Sequence, residues 1–490
     1  MGIPVSGLIL IPVTLGIFLF SSYSPEWAIF SAVLEGAALV NIGGGFAVGL
    51  SPYFFVVALI ALRTIPQWVT GRIRFFPREP VANNVRILAI FIAWCVFSAF
   101  VLPVLFAGLP VQSPRAGVDQ DYYIQTALQW SPSNGGQAGY MILNFVMVMC
   151  LVQIAVLPGR LERLVSVFSW SGVFVAAVGT FQIFCNRLGL PFPSWLFNSN
   201  QAWAQLPNQF IGNGFSRMSA TFVEPSEAAG FLAAWSVFEL SLAISGSRRN
   251  GLHWLWAAVG SFMLVETTST TGYVTAAIMW GVTAWDCLQT VLRSGRIKAK
   301  ATIAVLTLAG AVIVALIVVP DTWLLLDAVL FDKGMSKSAV HRTATFGRAI
   351  EVFENSWGLG VGLGSNRAMS VFFYVLSNLG LVGIALILYL LFHLYSLTRS
   401  QLNHADVDRT SSIYARAIGM AFIADVLSLL VSGAEITQPR LWILWGILLA
   451  ANRRLWMRTN HPRQSSLETE LPPQRSSGAY SLLGGAQNRA

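Results

Sequence analysis

Residues 87–108 read ILAIFIAWCVFSAFVLPVLFAG and contain no charged side chain. A helix of about 20 apolar residues is long enough to cross the hydrocarbon core of a bilayer. Such runs recur along the 490-residue chain, which is 55% hydrophobic and 11% charged with a mean hydropathy of +0.63. Water-soluble enzymes, secreted domains and nucleic-acid-binding proteins are excluded, because no soluble fold could bury so much apolar surface.

The apolar runs predict twelve or thirteen transmembrane helices separated by polar segments. The predicted fold class is therefore an all-α, polytopic transmembrane helical bundle with long loops on one side. The predicted spans cover residues 3–20, 26–43, 46–62, 87–108, 138–157, 166–186, 226–245, 253–267, 271–292, 302–320, 370–397, 413–431 and 440–452.

Basic residues divide the segments between the helices into two sets. Most of the 31 Lys and Arg residues lie in alternate segments, from Arg63–Arg86 to a tail that starts at Arg453. The positive-inside rule places these segments and the carboxyl terminus in the cytoplasm. The net charge of +9 is therefore mainly a topology signal. Residues 1–62 contain no Lys or Arg, so the side of the amino terminus stays open.

The chain divides into a transmembrane region, residues 1–458, and a tail, residues 459–490. Three long outward-facing loops interrupt the transmembrane region, at residues 110–137, 189–225 and 321–369. The tail is rich in Ser, Pro, Gln and Gly without apolar periodicity, which predicts a disordered cytoplasmic segment. The four cysteines lie in or beside predicted helices without C-x-x-C spacing, which indicates packing rather than disulfides or a metal site.

The loop at 189–225 ends in charged residues where the next helix is predicted to begin. Arg217 is followed by Glu224, Pro225 and Glu227. Proline suits the first helical turn, and acidic side chains stabilise the positive end of a helix, so capping explains both glutamates. The alternative is that one of these carboxylates acts as a general base.

The loop at 321–369 contains a predicted amphipathic helix over residues 342–357, lying along the membrane surface. Arg342 projects from the apolar side of this helix, where a guanidinium needs a carboxylate or a ligand phosphate as its partner. Arg348 falls on the polar side, where it pairs with Glu351 or meets solvent. The apolar residues recur at helical spacing: Phe346, Ile350, Phe353 and Trp357.

Four glycines alternate with apolar residues after this helix, in the segment Gly358-Leu-Gly360-Val-Gly362-Leu-Gly364-Ser-Asn366-Arg367. The spacing differs from that of a dinucleotide-binding loop. Alternating glycines permit close backbone approach and can expose N–H donors. Two interpretations have equal support: a tight turn packed under the next helix, and a backbone surface that faces an anion.

Two further polar clusters face outward. Residues 432–442 include Glu435 and Arg440, and Arg440 belongs either to a site or to an interfacial anchor with Trp442. Asp119 and Asp121 form a D-x-D pattern that could hold a divalent cation. We expect no metal site, because nothing nearby completes a coordination shell.

In combination, residues 210–385 resemble the superfamily of Wzy-type polysaccharide polymerases and WaaL-type O-antigen ligases. The motifs occur in the same order and on the same side of the membrane as in that superfamily. They are Arg217 before the Glu224-Pro225 helix start, the Ser-Thr-Thr-Gly turn at 269–272, Arg342 with its amphipathic helix, the glycine segment, and Leu379-Gly-Leu-Val-Gly383.

The resemblance implies an inverting, metal-independent glycosyltransferase of the GT-C class, which needs no cofactor. The protein would lie in the bacterial inner membrane with its active site facing the periplasm. Its donor and acceptor would be polyprenyl-diphosphate-linked glycans, which it joins into exopolysaccharide, capsule or O-antigen. Membrane lipid, a chain-length regulator and a flippase are the implied partners, and nucleic acid is not.

By the same resemblance, Arg217 and Arg342 would bind the diphosphate as it becomes the leaving group. Guanidinium groups bind phosphate oxygens bidentately, and fixed donors stabilise a charge that develops in a water-poor site. Arg367 and Arg440 are further candidates for diphosphate binding. The glycine segment with Gly360, Gly362 and Gly364 completes the predicted site.

The chain departs from the ligase pattern in one respect. Ligases carry a histidine shortly after the glycine segment, suited to deprotonating the acceptor hydroxyl, whereas residues 365–378 contain none. This favours a polymerase over the alternative of an O-antigen ligase or a protein O-oligosaccharyltransferase. The candidate general bases are His341, Glu224, Glu227 and Glu435.

A transporter or lipid-linked oligosaccharide flippase is the hypothesis from a different class. Transporters place ionisable residues within membrane helices along a pathway. The long outward loops favour an enzyme instead, because a transporter has little need of them. The ionisable residues within or near predicted spans are Glu35, Glu239, Asp286 and Asp425.

Overall fold

A bundle of α-helices forms most of the structure. The computed structural model describes residues 2–42, 48–74, 79–112, 125–200, 210–211, 215–246, 250–294, 337–403, 408–433 and 435–460. The backbone alone is described for residues 48, 210–211, 215–216, 250, 286–294 and 337–342. The predicted span at 302–320, the D-x-D residues Asp119 and Asp121, and the tail beyond Asn460 lie outside these ranges.

The helices are numbered in chain order along the described ranges. They are α1 (Val5–Phe20), α2 (Ser24–Ser31), α3 (Pro52–Val69), α4 (Val81–Leu105), α5 (Pro132–Ile154), α6 (Arg160–Leu188), α7 (Ser194–Phe197), α8 (Pro225–Ser245), α9 (Asn250–Glu266), α10 (Thr270–Ser294), α11 (Lys337–Asn355), α12 (Val371–Leu402), α13 (Arg409–Ser432) and α14 (Pro439–Asn460).

Short antiparallel hairpins lie in three of the described connections. Each hairpin pairs two strands of two or three residues, so sheet contributes little to the fold. The pairs are β1 (Val40–Ile42) with β2 (Val48–Leu50), β3 (Pro110–Gln112) with β4 (Gln125–Ala127), and β5 (Phe210–Ile211) with β6 (Phe215–Ser216).

Within the described ranges, seven helices are long and apolar enough to cross a membrane: α3, α4, α5, α6, α8, α12 and α13. The prediction of a multi-pass, all-α membrane protein is therefore confirmed. The shorter apolar helix α1 covers the first predicted span. The predicted spans at 253–267, 271–292 and 440–452 also lie on helices, namely α9, α10 and α14.

The prediction of a span over residues 26–43 is wrong. Helix α2 ends at Ser31, and turns lead from there to β1. The backbone of Gly36 instead pairs with a distant loop, since its N–H donates to Thr221 O at 2.9 Å and its carbonyl accepts from Asn200 N at 3.0 Å. Irregular backbone at membrane depth is tolerated where protein satisfies its hydrogen bonds.

Helix α8 occupies the centre of the bundle. Its side chains are buried on every side from Ala228 to Leu240, as expected of a helix surrounded by other helices. Trp235 and Phe238 are fully buried, and Gly172 of α6 makes room for the indole. A Cβ at Gly172 would come within 2.1 Å of that ring. Three free cysteines, Cys95, Cys150 and Cys185, are also buried, which confirms their predicted role in packing.

Ion pairs connect the basic segments at one end of the bundle. Arg160 at the start of α6 pairs with Glu26 of α2 at 2.7 Å, and Arg453 of α14 pairs with Glu79 at 2.8 Å. Arg454 lies 2.8 Å from Glu162. The segments predicted to share one side of the membrane therefore meet at the same end of the structure.

Candidate functional site

A cleft at the opposite end of the bundle has a cavity volume of about 50 Å³ and opens to the outside. Three carboxylates line it: Glu35 after α2, Glu227 in the first turn of α8, and Glu435 before α14. Among the described residues, no group of three or more acidic, histidine or cysteine side chains is spaced to hold a metal ion. The other polar and aromatic side chains in the lining include Ser51, Tyr53, Phe54, Tyr140, Asn200, Thr437 and Gln438.

Helix α8 begins where the sequence predicted. Glu224 is its N-cap residue and Pro225 occupies its first position. The Glu224 side chain accepts no hydrogen bond from the described amides of the first turn, although Ser226 Oγ lies 3.4 Å from its Oε2. Glu227 directs its carboxylate at the cleft, so capping alone does not account for it.

Glu435 belongs to a small hydrogen-bonded network. Its Oε2 accepts hydrogen bonds from Gln137 Nε2 at 2.9 Å and from Thr437 Oγ1 at 3.1 Å. Burial raises the pKa of Glu435, while these two hydrogen bonds and the positive charge of Arg367 act in the opposite direction. Arg367 is itself buried, and its backbone N–H donates to Gln112 O at 3.1 Å. The end of the glycine segment therefore lies beside Glu435.

Glu35 has an unusual acidity. Its pKa is raised to about 7, mainly by burial, against the lowering effect of Arg440 and with a further raising effect of the negative charges of Glu435, Asp425 and Glu224. A carboxyl with a pKa near neutral pH is present in both protonation states, which suits proton transfer.

Arg440 lies behind the cleft in a buried ion pair. Its Nε is 2.6 Å from Asp425 Oδ1, and its Nη1 donates to the carbonyl of Glu227 at 2.9 Å. The alternative of an interfacial anchor is wrong for both residues concerned, because Arg440 is 7% exposed and Trp442 is 1% exposed. Arg440 joins α8, α13 and α14, and its role in diphosphate binding stays a prediction.

Arg217, in the loop before α8, packs against the turn between α9 and α10. Its guanidinium donates to Thr267 O at 3.4 Å, Thr268 Oγ1 at 3.3 Å and Thr268 O at 3.4 Å. Two motifs of the superfamily resemblance, the arginine and the Ser-Thr-Thr-Gly turn at 269–272, are thus brought together. They lie at the same end of the bundle as the cleft, because α9 ends and α10 begins there.

A short stretch of chain links Arg217 to the cleft. Thr221 Oγ1 donates to the carbonyl of Val33, two residues before Glu35. The N–H of Gly36, the residue after Glu35, donates to Thr221 O at 2.9 Å. Four residues of chain span at most about 14 Å, so Arg217 lies within that distance of Thr221. Diphosphate binding at Arg217 and proton transfer at the cleft could therefore belong to one site.

Left-handed backbone conformations occur in or beside the segments that the sequence analysis selected. Within the described chain, the non-glycine residues with positive φ are Ala220 (51°), Thr268 (48°) and Trp357 (54°). Ala220 lies three residues after Arg217, Thr268 accepts hydrogen bonds from the Arg217 side chain, and Trp357 directly precedes the glycine segment. Left-handed backbone at non-glycine residues is costly and concentrates at functional sites, so these positions support a site here.

The glycine segment wraps around a break in α12. Gly380 has φ 64° and ψ −161°, which interrupts the helix. Val361 N and Gly362 N donate to the carbonyls of Ser377 and Asn378, both at 2.9 Å, which the break leaves without helical partners. Glycine is required at position 360, where φ is 81° and a Cβ would meet the Asn378 carbonyl carbon at 2.6 Å.

The amides of this segment donate to acceptors within the protein. Leu363 N donates to Ser98 Oγ, and the amides of Ser365 and Asn366 donate to Asn378 Oδ1 at 3.0 and 2.9 Å. This arrangement favours the interpretation of a tight packed turn over that of an anion-facing backbone. Gly360, Gly362 and Gly364 are thus placed as parts of the scaffold beside the cleft.

Helix α11 confirms the predicted helix in the loop at 321–369, with a different side packed inward. Its buried residues are Thr345, Ala349 and Val352, whereas Ile350 is 42% and Trp357 is 80% exposed. Small residues pack against the neighbouring segments, and these two larger apolar side chains point away from the protein. Phe346 stacks on Phe373 of α12, and Arg348 pairs with Glu351 as predicted.

Arg342 and His341 lie on the backbone of α11, and their side chains are outside the described residues. Arg342 precedes Phe346 by one helical turn, about 6 Å along the axis. Phe346 contacts Phe373 at the start of α12, where Ser370 Oγ donates to Leu430 O near the end of α13. The helix that carries Arg342 therefore packs close to the segment that holds Glu435.

Sequence reasoning identified part of this site. It selected Glu227 and Glu435, which line one cleft, and it missed the position of Glu35. The signal was present, since an acidic residue followed by glycine interrupts an apolar run. That signal was assigned to the transporter hypothesis because residues 26–43 were predicted to form a continuous helix.

Comparisons of this chain with models of protein families and with curated proteins give no match.

Proposed function

We propose that this protein is an inner-membrane polymerase that joins polyprenyl-diphosphate-linked oligosaccharides at the periplasmic face. One observation supports this most strongly: motifs far apart in sequence gather at one end of the bundle, around a cleft lined by carboxylates. Arg217 binds the turn at Thr267 and Thr268, Thr221 binds the backbone on either side of Glu35, and the glycine segment ends at Arg367 beside Glu435. The end that carries the ion-paired basic segments would face the cytoplasm by the positive-inside rule.

In the proposed reaction, a hydroxyl oxygen of the acceptor sugar attacks the anomeric carbon of the donor. The bond from that carbon to the diphosphate oxygen breaks, and the lipid diphosphate leaves with the electron pair. Arg217 and Arg342 would hold the departing phosphate oxygens. Donors fixed in advance stabilise such a developing charge without a reorganisation cost at the moment of reaction.

The experiment is an assay of the purified protein in lipid vesicles with a short polyprenyl-diphosphate oligosaccharide. Mass spectrometry should detect products longer by whole repeat units. We expect Arg217→Ala to lower the rate by about 100-fold or more, and Arg217→Lys to be clearly impaired, because an ammonium does not reproduce the guanidinium fork. The matched control is Arg163→Lys, at the opposite end of the bundle, where Arg163 lies over the Tyr23 ring. Wild-type rates for both Arg217 variants would refute the assignment.

A ligase remains the alternative with the same chemistry and a different acceptor. A deletion strain separates the two activities, because loss of a polymerase leaves single repeat units on the carrier lipid. Loss of a ligase leaves long unattached chains. Polymer of normal length in the deletion strain would exclude the polymerase.

One observation favours a transporter as the second candidate. Glu35 and Glu227 line a cleft within the bundle, and buried carboxylates of this kind form proton or cation pathways in transporters. Elongation of glycan by purified protein in detergent, without any gradient, would exclude this function. Gradient-dependent movement of a lipid-linked glycan without elongation would establish it.

A further inference from the structure

We propose that Glu35 is the catalytic base that takes the proton from the acceptor hydroxyl, and that Gln438 binds the same sugar through its side-chain carbonyl. This inference rests on the proposed function and adds a base and an acceptor subsite to it. Sequence reasoning placed the base at His341, Glu224, Glu227 or Glu435.

The surroundings of Glu35 distinguish it from Glu435. Within the described part of the chain, no group donates a hydrogen bond to the Glu35 carboxylate, which is only partly buried in the cleft. Glu435 already accepts two hydrogen bonds, from Gln137 and Thr437. Hydrogen bonds to a carboxylate stabilise its charged form and weaken it as a base, so Glu35 is the better proton acceptor.

Two acceptor oxygens in the cleft lack a hydrogen-bond donor among the described residues. Gln438 is 7% exposed, and its Oε1 has no hydrogen-bond partner. Oε2 of Glu227 is a second buried atom without a partner. Both residues line the cleft. Buried polar atoms are almost always paired, so two unpaired acceptors in one cleft indicate a ligand that brings donors. A sugar with several hydroxyl groups has this chemistry.

Aromatic side chains give the cleft an apolar wall. Phe54 and Tyr140 stack with ring centroids 3.9 Å apart and an interplanar angle of 15°. Tyr53 stands beside them, with its hydroxyl donating to Asn144 Oδ1 at 2.9 Å. Small-molecule sites combine apolar and aromatic walls with a few placed polar groups, and this lining fits that pattern.

The proton balance of the step is complete. As the acceptor oxygen bonds to the anomeric carbon, its proton passes to a Glu35 oxygen, and the diphosphate takes the electron pair of the broken bond. Glu35 is then neutral and returns the proton to solvent through the open side of the cleft. No metal, oxidant or further reactant takes part.

The charged groups around Glu35 affect its pKa and hence the expected pH dependence of the rate. Glu35 faces Arg440 of α14, Asp425 of α13, Glu224 and Glu227 at the start of α8, and Glu435. Because its pKa lies at about 7, the rate should rise with pH through neutrality as the carboxyl loses its proton.

The test compares Glu35→Gln with wild type in the vesicle assay. The donor is a polyprenyl-diphosphate oligosaccharide whose acceptor hydroxyl is blocked, and the acceptor is the free oligosaccharide, so that the two KM values are measured separately. Positioned bases contribute about 100-fold to 10,000-fold to a rate. We expect kcat to fall by about 100-fold or more, KM for the donor to stay within about twofold, and the rise of the rate near neutral pH to disappear. The matched control is Glu162→Gln, a glutamate at the opposite end of the bundle.

Several outcomes overturn the proposal. A Glu35→Gln rate within about threefold of wild type, or an unchanged pH profile, excludes Glu35 as the base. If this variant does not fold, Glu35→Asp replaces it: a displaced pH profile with a lower rate supports the role, and a wild-type rate with an unchanged pH profile excludes it. A wild-type rate that is constant from about pH 5 to 9 would also exclude it. Absence of transfer by wild-type protein would instead refute the proposed function.

The subsite is tested separately by Gln438→Leu, which removes the unpaired carbonyl and keeps a similar volume. We expect KM for the acceptor to rise by about tenfold, the effect of losing one hydrogen bond to a sugar hydroxyl. An unchanged acceptor KM would exclude Gln438 from the subsite.

Discussion

The buried ion pair between Asp425 and Arg440 predicts how substitutions at these two residues change the stability of the protein. Both side chains are buried, with Asp425 fully inside and the two charges 2.6 Å apart. Removing one partner leaves the other charge in an environment of low polarity. The perturbation consists of Asp425→Leu, Arg440→Met and the double variant.

The expected magnitude follows from the burial of the pair. Loss of one partner of a buried ion pair costs about 3–5 kcal/mol, whereas replacing both by apolar residues of similar size is often neutral or stabilising. The hydrogen bond from Arg440 to the Glu227 carbonyl adds about 1 kcal/mol to the cost of losing Arg440. We therefore expect each single variant to be less stable than the double variant.

The assay is reversible unfolding of the purified protein in mixed micelles with increasing SDS, followed by the fluorescence of its 17 tryptophans. A coupling energy of about 3 kcal/mol or more between the two sites is the expected result. Additive single variants, each costing less than about 1 kcal/mol, would show that the two charges are solvated and that the buried pair is wrong.

Three further predictions concern other parts of the structure. Gly360→Ala should lower the free energy of unfolding by about 2 kcal/mol or more, because residue 360 has a positive φ and an added Cβ would clash with the Asn378 backbone. The control Gly347→Ala, on the exposed side of α11, should raise the free energy of unfolding by about 0.5–1 kcal/mol. SDS unfolding measures both variants, and equal effects would contradict the placement of the glycine segment. The pKa of Glu35 is higher in the folded protein, at about 7, than in the unfolded chain, at 4.5. The free energy of unfolding should therefore decrease by up to about 3 kcal/mol as the pH rises from 4.5 to about 7. A Glu35→Gln variant that keeps this pH dependence in the same unfolding assay would disprove the prediction. Arg348→Ala, which removes an exposed pair with Glu351, should change stability by less than about 1 kcal/mol, and a larger loss would mean that α11 depends on this pair.

The fold was largely predictable because apolar runs long enough to span a bilayer are a strong signal. Apart from 26–43, and from 302–320, which lies outside the described residues, each predicted span lies mostly on a helix. In the span predicted at 46–62, residues 48–50 form β2 and α3 begins only at Pro52. The failure at 26–43 has a physical cause. The backbone of Gly36 pairs with Thr221 and Asn200, which lie 185 and 164 residues further along the chain. Hydrophobic periodicity within a short window does not report such contacts.

The site was predictable in its segments and less so in its geometry. Polarity and loop length selected Arg217, Glu227 and Glu435 from the sequence. The cleft depends on tertiary contacts: Gln137 with Glu435, and the stacking of Phe54 on Tyr140. The break in α12 at Gly380 also depends on a partner, because the glycine segment satisfies the carbonyls that the break releases.

The side of α11 that packs inward shows a related limit. Hydrophobic periodicity identified the helix and its apolar row, yet Ile350 and Trp357 point away from the protein. In a membrane protein, an apolar row can face lipid as readily as protein, whereas small residues such as Ala349 favour close helix packing. Periodicity alone therefore fixes the helix and leaves its orientation undetermined.

The central proposal is that the lipid-linked diphosphate binds beside the carboxylate-lined cleft, at the end of the bundle opposite the basic segments. A polyprenyl-diphosphate analogue with a photoreactive group beside its phosphates tests this directly, with labelled peptides mapped by mass spectrometry. We predict labelling in the segment from Arg217 to Glu227 and in α11 around Arg342, with competition by unlabelled substrate. Specific labelling confined to the opposite end, around Glu79, Arg160 and Arg453, would contradict the claim.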